Sequence, residues 1–378
     1  MLTLPPLSLY IHIPWCIKKC PYCDFNSHKA NGALPEQEYV AALIADMQSD
    51  LHLAQGRKLT TIFFGGGTPS LFSGAAIGTI LNAAERIFGF HSNIEITLEA
   101  NPGAVDEKKF VDFSLAGVNR LSIGVQSFNN THLSRLGRIH GDKEALNAIR
   151  SAQHAGFDNI NVDLMHGLPE QTIEQAESDI SIAVNSGAVH ISWYQLTIEP
   201  NTEFFSRPPP LPVDDRLADI QHAGMILLKD NEFEQYEVSA FCKNNRPSEH
   251  NMNYWTFGDY LGIGAGAHGK ITQLDKKVSI RTAKTRQPEH YLTRIGTAIV
   301  KQDIIDTNEI AVEFMMNGLR LKHGVPRAFF PRRTGLEPTS IDIACLQLQS
   351  QGLIEKSNTH YCTTELGYRF LNSVLQHF

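Results

Sequence analysis

Three of the chain's six cysteines fall within "PWCIKKCPYCDFN", residues 14–26, in the spacing Cys16-x3-Cys20-x2-Cys23. Thiolates are soft ligands that select zinc or iron-sulfur clusters. Zinc sites usually draw four protein ligands from two such groups, and no second Cys-x-x-Cys pair occurs elsewhere in the chain. Three thiolates on one loop can instead take three irons of a 4Fe-4S cube and leave the fourth iron open to a ligand from outside the protein. Cys16, Cys20 and Cys23 are therefore candidate iron ligands, with a zinc or redox loop as the alternative reading. Phe25 stands where one more cysteine would extend the series to Cys-x3-Cys-x2-Cys-x-Cys. Cys242, Cys345 and Cys362 are scattered, and Cys345 within "IACLQL" reads as a small buried hydrophobe.

A second group of residues is suited to holding a small polar ligand. Arg138 in "LGRIH" offers a guanidinium fork that can hold both oxygens of a carboxylate. Glu99 in "EANPG", Gln126 in "GVQSF" and Asp163 in "DLMHGLP" supply acceptors for ribose hydroxyls or an ammonium, in a division the sequence leaves open. Tyr22 lies between the second and third cysteines, and "GGGTPS" at 65–70 has the glycines of a tight strand-to-loop turn. Taken singly, each of the polar residues is an ordinary strand-end cap or ion-pair partner, and Tyr22 a loop anchor. Their shared position argues for more.

Each follows a short β-branched or aromatic run, and these runs recur about every thirty residues with helix-period segments between them. The runs are "LSLYIHIP" (7–14), "LTTIFFGG" (59–66), "IEITLEA" (94–100), "RLSIGVQS" (120–127), "NINVDLMHG" (159–167) and "HISWYQLTIEP" (190–200), which makes six βα units. Such alternation gives a parallel sheet, and runs that are apolar nearly throughout suit strands covered on both faces. The polar residues come at the carboxyl ends of successive strands: the cysteine loop, "GGGTPS", Glu99, Gln126, Asp163, then Thr197 with Glu199. A barrel rim gathers side chains from every strand, whereas a doubly wound sheet concentrates them at one switch point. An α/β partial barrel of six units is the expected fold.

The rhythm breaks after residue 200 with the proline-rich "SRPPPLP". The expected organisation is a barrel over 1–240, a connecting region over 241–300 carrying "HNMNYW" at 250–255, and a helical domain over 301–378. In the last, "NEIAVEFMMNGLRL" reads as an amphipathic helix capped by Asn308, and residues from 339 onward resemble a winged helix. Its recognition-helix candidate "TSIDIACLQLQSQG" has no lysine or arginine, and the chain has 33 basic against 40 acidic residues for a net charge of -7. Phosphate contacts are missing, so a packing role is favoured over nucleic-acid binding. No run of eighteen apolar residues and no signal-peptide pattern occurs, and sparse, clustered cysteines do not suit a secreted disulfide scaffold. A cytoplasmic location is expected.

The cysteine spacing resembles the signature of the radical S-adenosylmethionine (SAM) superfamily over the first two hundred or so residues. The motifs "LSLYIHIPWC", "GGGTPS", "EANPG", "GVQSF", "LGRIH" and "DLMHGLP" are similar to those of the oxygen-independent coproporphyrinogen III oxidase (HemN) family across nearly the whole chain. That resemblance implies a TIM-like radical SAM barrel with a small C-terminal domain, a 4Fe-4S cluster and SAM. It also implies that Tyr10, Tyr22, Gly66, Gly67, Thr68, Glu99, Gln126, Arg138, Asp163 and Thr197 match positions that contact SAM. The oxidases carry a fourth cysteine where this chain has Phe25, and this departure, with "HNMNYW", is similar to the HemW branch of haem chaperones.

The implied function is to bind haem as cargo and deliver it to apo-haemoproteins such as respiratory enzymes, with cluster and SAM regulating transfer. An electron donor such as a flavodoxin, a homodimer, and peripheral membrane contact through clients go with that expectation. His250, with Tyr254 and Trp255 beside it, is the expected haem contact, because imidazole is a common axial iron ligand and flat aromatics stack on a porphyrin. His12, His166 and His268 are rival ligands, and simple packing of the segment against the rim is the plain alternative. The other functional readings are a radical SAM enzyme acting on a porphyrinogen or as a methyltransferase, and a DNA-binding regulator.

Overall fold

The computed structural model describes residues 1–294, 296 and 298–378. Six strands alternate with helices as expected: β1 (Leu7–Ile13), β2 (Leu59–Gly66), β3 (Phe90–Ala100), β4 (Arg120–Gln126), β5 (Ile160–His166) and β6 (His190–Gln195). The helices between them are α1 (Glu36–Ala54), α2 (Gly74–Phe88), α3 (Glu107–Ala116), α4 (Asp142–His154) and α5 (Ile173–Asn185). Local chemistry starts several of them. Ser73 accepts from the N–H of Ala76 to cap α2, and Thr172 with Gln175 forms a capping box on α5.

Neighbouring strands from β1 to β6 pair in parallel, in chain order. The runs read as apolar throughout turn out to alternate. Leu9 and Ile11, Ile62 and Phe64, Leu121 and Ile123, Val162 and Leu164 lie in the main hydrophobic core. On the alternate face, each next in sequence to a core residue, stand polar yet buried side chains: Ser8, Thr61, Glu95, Arg120, Asn161 and His190. A strand's two faces meet different surroundings, and here the second face turns into a lumen lined with hydrogen-bonding groups.

Residues 241–300, expected to serve as a connection, contribute to the same sheet. Helix α6 (Asp214–Asp230) leads into β7 (Glu234–Glu237) and β8 (Ala240–Cys242); helix α7 (Glu249–Trp255) follows, then β9 (Asp259–Ile263), β10 (His268–Gln273), β11 (Val278–Lys284) and β12 (Ile299–Ile304). The sheet order is β12-β11-β10-β9-β1-β2-β3-β4-β5-β6-β8-β7, so the barrel is open. Strand β9 is a seventh parallel strand, beside β1, that the glycine-rich "GDYLGIGAGAHGK" concealed. Its glycines allow close approach: a Cβ at Gly262 would lie 1.9 Å from the carbonyl oxygen of His268. Strands β10 to β12 extend this edge as an antiparallel meander.

Helix α7, with its N-cap Ser248, bonds to strands that lie far apart in the sheet order. Asn253 donates to Ser8 on β1 at 2.8 Å, while the N–H of Ser248 donates to the hydroxyl of Tyr236 on β7 at 3.3 Å. The C-terminal domain has its own core around Phe314, Phe330, Leu348 and Tyr361. Its first helix, α8 (Thr307–Gly318), is capped by Asp306, which accepts from the N–H of Asn308 at 2.8 Å. The cap thus lies two residues before the expected Asn308, because the aspartate side chain reaches the free N–H groups first. In α9 (Thr339–Ser350), Ile343 and Leu346 are exposed, so the outer face of this helix is apolar rather than basic.

Candidate functional site

At the end of β1 the chain turns into the cysteine loop, where the 15–16 segment pairs with 28–29 and the N–H of Cys23 donates to the carbonyl of Cys20. The loop is fastened to the glycine triplet that follows β2. The N–H groups of Gly67 and Thr68 donate to the carbonyls of Ile13 and Trp15, each at 2.8 Å. Gly66 has φ +115°, and a Cβ there would sit 2.6 Å from the His12 ring; one at Gly67 would sit 2.6 Å from the Trp15 carbonyl oxygen. The glycines therefore let two backbone segments touch, which positions the thiols.

Each thiol has a polar neighbour: Thr68 donates to Cys16 Sγ at 3.4 Å, Arg138 to Cys20 Sγ at 3.7 Å, and Ser27 Oγ lies 3.8 Å from Cys23 Sγ. Burial pushes the Cys16 thiol up to about 11 and also raises Cys23. As free thiols they hold their protons at neutral pH, and a metal would have to displace them.

The loop closes one side of a cavity of about 530 Å³. Twelve of the fourteen residues singled out as cluster, SAM or haem contacts line it: Cys16, Cys20, Tyr22, Cys23, Gly66, Gly67, Thr68, Glu99, Gln126, Arg138, Asp163 and Thr197. Glu99 and Asp163 are part-buried there with no salt-bridge partner among the described residues. Burial, and then the neighbouring Asp163, push Glu99 up to about 8, against the N–H of Gly66 at 3.3 Å. Burial also raises Asp163, although Asn161 donates to it at 2.7 Å and Ser122 at 2.9 Å. Arg138 donates to the Gly124 carbonyl at 2.5 Å and leaves its buried Nε without a partner. The cavity thus presents two carboxylates without an ion-pair partner and a guanidinium with one buried N–H left unpartnered.

The two remaining residues lie elsewhere. Tyr10 lines a neighbouring cavity of about 900 Å³, which shares Asp24, Phe25, Gly66 and Glu99 with the first. His250 faces neither. It is buried in the lumen, with Nδ1 2.7 Å from Thr61 Oγ1 and Nε2 2.9 Å from the Tyr254 hydroxyl, so both nitrogens are engaged. Its backbone N–H donates to Glu95, which also accepts from Glu249 and secures the start of α7. Tyr254 and Trp255, in contrast, do line the larger cavity.

Sequence reasoning passed over Ser122, Asn161, Ser192 and Tyr194, which line the smaller cavity. Tyr194 donates to Gln126 at 2.7 Å, and Ser192 donates to Asn161 at 3.0 Å. Their positions two residues from one another or from Gly124 and Asp163 were the available signal, since alternate strand residues share a face.

Over its whole length this chain is 49% identical to "Heme chaperone HemW" of Escherichia coli, covering 99% of that protein. The chain belongs to the HemW family. Residues 10–182 match the radical SAM superfamily, and 305–370 match the HemN C-terminal domain. The HemW protein of Haemophilus influenzae is 47% identical over 100% of this chain and 99% of its own. A bovine mitochondrial radical SAM domain-containing protein 1 is 34% identical over 92% of this chain and 81% of its own. The structure of E. coli coproporphyrinogen III oxidase (HemN), at 20% identity, superimposes with a TM-score of 0.83 over 99% of this chain and 90% of that one, so the fold is shared.

For a HemW-family chain, membership of the radical SAM superfamily implies a 4Fe-4S cluster and SAM. The residues fit both. SAM carries an ammonium, a sulfonium and a carboxylate, which suit the unpaired Glu99 and Asp163 and the Arg138 guanidinium that line the cavity. Among the described residues no three histidine, cysteine or acidic side chains converge on a point suited to a single metal ion. A cubic cluster makes no such demand, since each thiolate takes a different iron.

Proposed function

We propose that this protein is a haem chaperone, binding haem and passing it to apo-haemoproteins. The observation that carries the reading is the full-length similarity to proteins named haem chaperones. The site supports it: a thiol-lined cavity opens into a larger one walled by aromatic residues, with Phe25 at the shared boundary. In this reading Cys16, Cys20 and Cys23 hold the cluster, which leaves one iron for SAM and supplies one-electron chemistry. Arg138 orients the SAM carboxylate. Glu99, Asp163 and Gln126 hold its cationic and hydroxyl groups, the glycine triplet with Thr68 and Thr197 shapes the edge, and Tyr22 and Tyr10 flank the bound molecule. These groups bind, orient and exclude water.

Three thiols and a phenylalanine in the cysteine loop support cargo handling over porphyrinogen oxidation. Among the described residues no helix is long and apolar enough to cross a membrane. Cytoplasmic residence, membrane contact through clients, a flavodoxin-type electron donor and a homodimer belong to the same proposal.

The test is an anaerobic titration of the cluster-reconstituted protein with haemin, followed by transfer to an apo-cytochrome. Saturable binding and transfer are expected. Absence of binding, together with turnover of coproporphyrinogen III in the presence of SAM, would overturn the reading.

A further inference from the structure

The larger cavity contains groups that neither the cluster nor SAM employs. One wall is aromatic: Tyr254 of α7 meets Tyr260 of β9 edge to face, with ring centroids 4.6 Å apart. Phe25 of the cysteine loop also lines the cavity and is 58% exposed. A volume of about 900 Å³ falls within the range of roughly 300–1,000 Å³ typical of small-molecule and cofactor pockets.

Two histidines line this cavity, and their situations differ. His12 has its nitrogens 3.1 Å from the Tyr10 hydroxyl and 2.9 Å from the Asn26 carbonyl. His268, the first residue of β10, is exposed, and its side chain makes no hydrogen bond or ion pair with any described residue. Partial desolvation at the cavity wall, and then nearby Arg281, lower its pKa, so the ring is neutral at pH 7 with a lone pair available to a metal. The cations differ in the same way. Arg281 is taken up by Glu313 at 2.6 Å, and Lys270 by Asp259 at 3.0 Å. Arg286 donates only to Asn26, at 3.3 Å through Nε, and among the described residues it has no carboxylate partner.

An unengaged imidazole, an unpaired guanidinium and aromatic walls around one cavity match the three parts of haem: iron, propionate and macrocycle. Building on the chaperone reading, we propose that haem sits in this cavity with His268 as axial iron ligand, Arg286 on a propionate and Phe25 against the macrocycle. His250 is then a positioning residue. It holds α7 in the lumen so that Tyr254 and Trp255 of the same motif form the wall.

The test titrates full-length, cluster-reconstituted protein with haemin and with haemin dimethyl ester, recording absorption and magnetic circular dichroism. His268→Ala is expected to lose the wild-type axial-ligand signature, to recover it when imidazole is added, and to bind more weakly. The loss should be at least about tenfold, the scale on which metal sites respond even to changes beyond the ligands. Arg286→Ala should keep the signature and weaken haemin binding while leaving the ester unaffected. His250→Gln, checked for normal iron content, should keep the signature. An unchanged signature and affinity in His268→Ala, or loss of the signature in His250→Gln alone, would overturn this haem seat while leaving the chaperone reading intact. Failure of the wild type to bind haemin at all would instead overturn the chaperone reading.

Discussion

Glu99 offers the sharpest test of the smaller cavity. Its carboxyl is pushed up to about 8 by burial and then by Asp163, so below that pH the ligand-free site holds it protonated. A ligand bringing positive charge favours the ionised form, and binding must then release the proton. SAM affinity should accordingly rise with pH up to about 8 and level off above, by as much as tenfold per unit, or roughly 2.7 kcal/mol between pH 6 and 8. Glu99→Gln removes this titration. Above pH 8 it should bind more weakly than wild type by the worth of a charge-assisted hydrogen bond, about 1.5–3 kcal/mol. Anaerobic calorimetry in two buffers of different ionisation enthalpy reads both affinity and proton release. The amino group of SAM titrates in the same region, but it does so equally in both proteins and cancels in the comparison. The same shift has a consequence for stability. An unfolded Glu99 ionises from about 4.5 upward while the folded one resists to about 8, so the ligand-free protein loses stability across that window. Glu99→Gln should remove that loss and be the more stable protein at pH 8. Equal pH slopes for SAM binding in the two proteins would refute the argument.

Gly67→Ala places a methyl group against the Trp15 carbonyl, at 2.6 Å before any relaxation, and should lower iron incorporation with little change in helicity, measured by iron and sulfide analysis alongside circular dichroism. Asp259 accepts from Arg57 at 2.7 Å and Lys270 at 3.0 Å in a buried setting. Asp259→Ala should therefore destabilise by about 3–5 kcal/mol, read as a lower denaturation midpoint, because two cations are left without their acceptor. His250→Ala leaves the Tyr254 hydroxyl without its partner and removes one of the two partners of Thr61, which keeps its bond to Ser8. A loss of roughly 1–3 kcal/mol is expected in urea unfolding, and a neutral result would contradict the packing role assigned here.

The cysteine spacing, the glycine triplet and the strand-end polar residues were legible because each depends on local features: ligand chemistry, a turn, and the period of a strand. That local pattern was enough to group most of the candidate site, since in a parallel barrel the carboxyl ends of successive strands converge of necessity. It failed where packing decides. His250 was singled out for its residue type and its aromatic neighbours, but its role depends on Thr61, 189 residues away in sequence. Strand β9 was hidden because its glycines obscure strand propensity, and it forms by pairing with β1.

The sequence by itself determined that three thiols share one loop, that Phe25 stands in place of a fourth, and that six βα units carry polar residues at their ends. Only the tertiary structure decided that the strands' inner faces form a buried polar lumen, that α7 fills it, and that His268 rather than His250 is left with its ring nitrogens unengaged. The physical reason is competition for hydrogen bonds. A side chain's type fixes what it can bind, but which partners it has already found depends on residues that folding brings in from far along the chain.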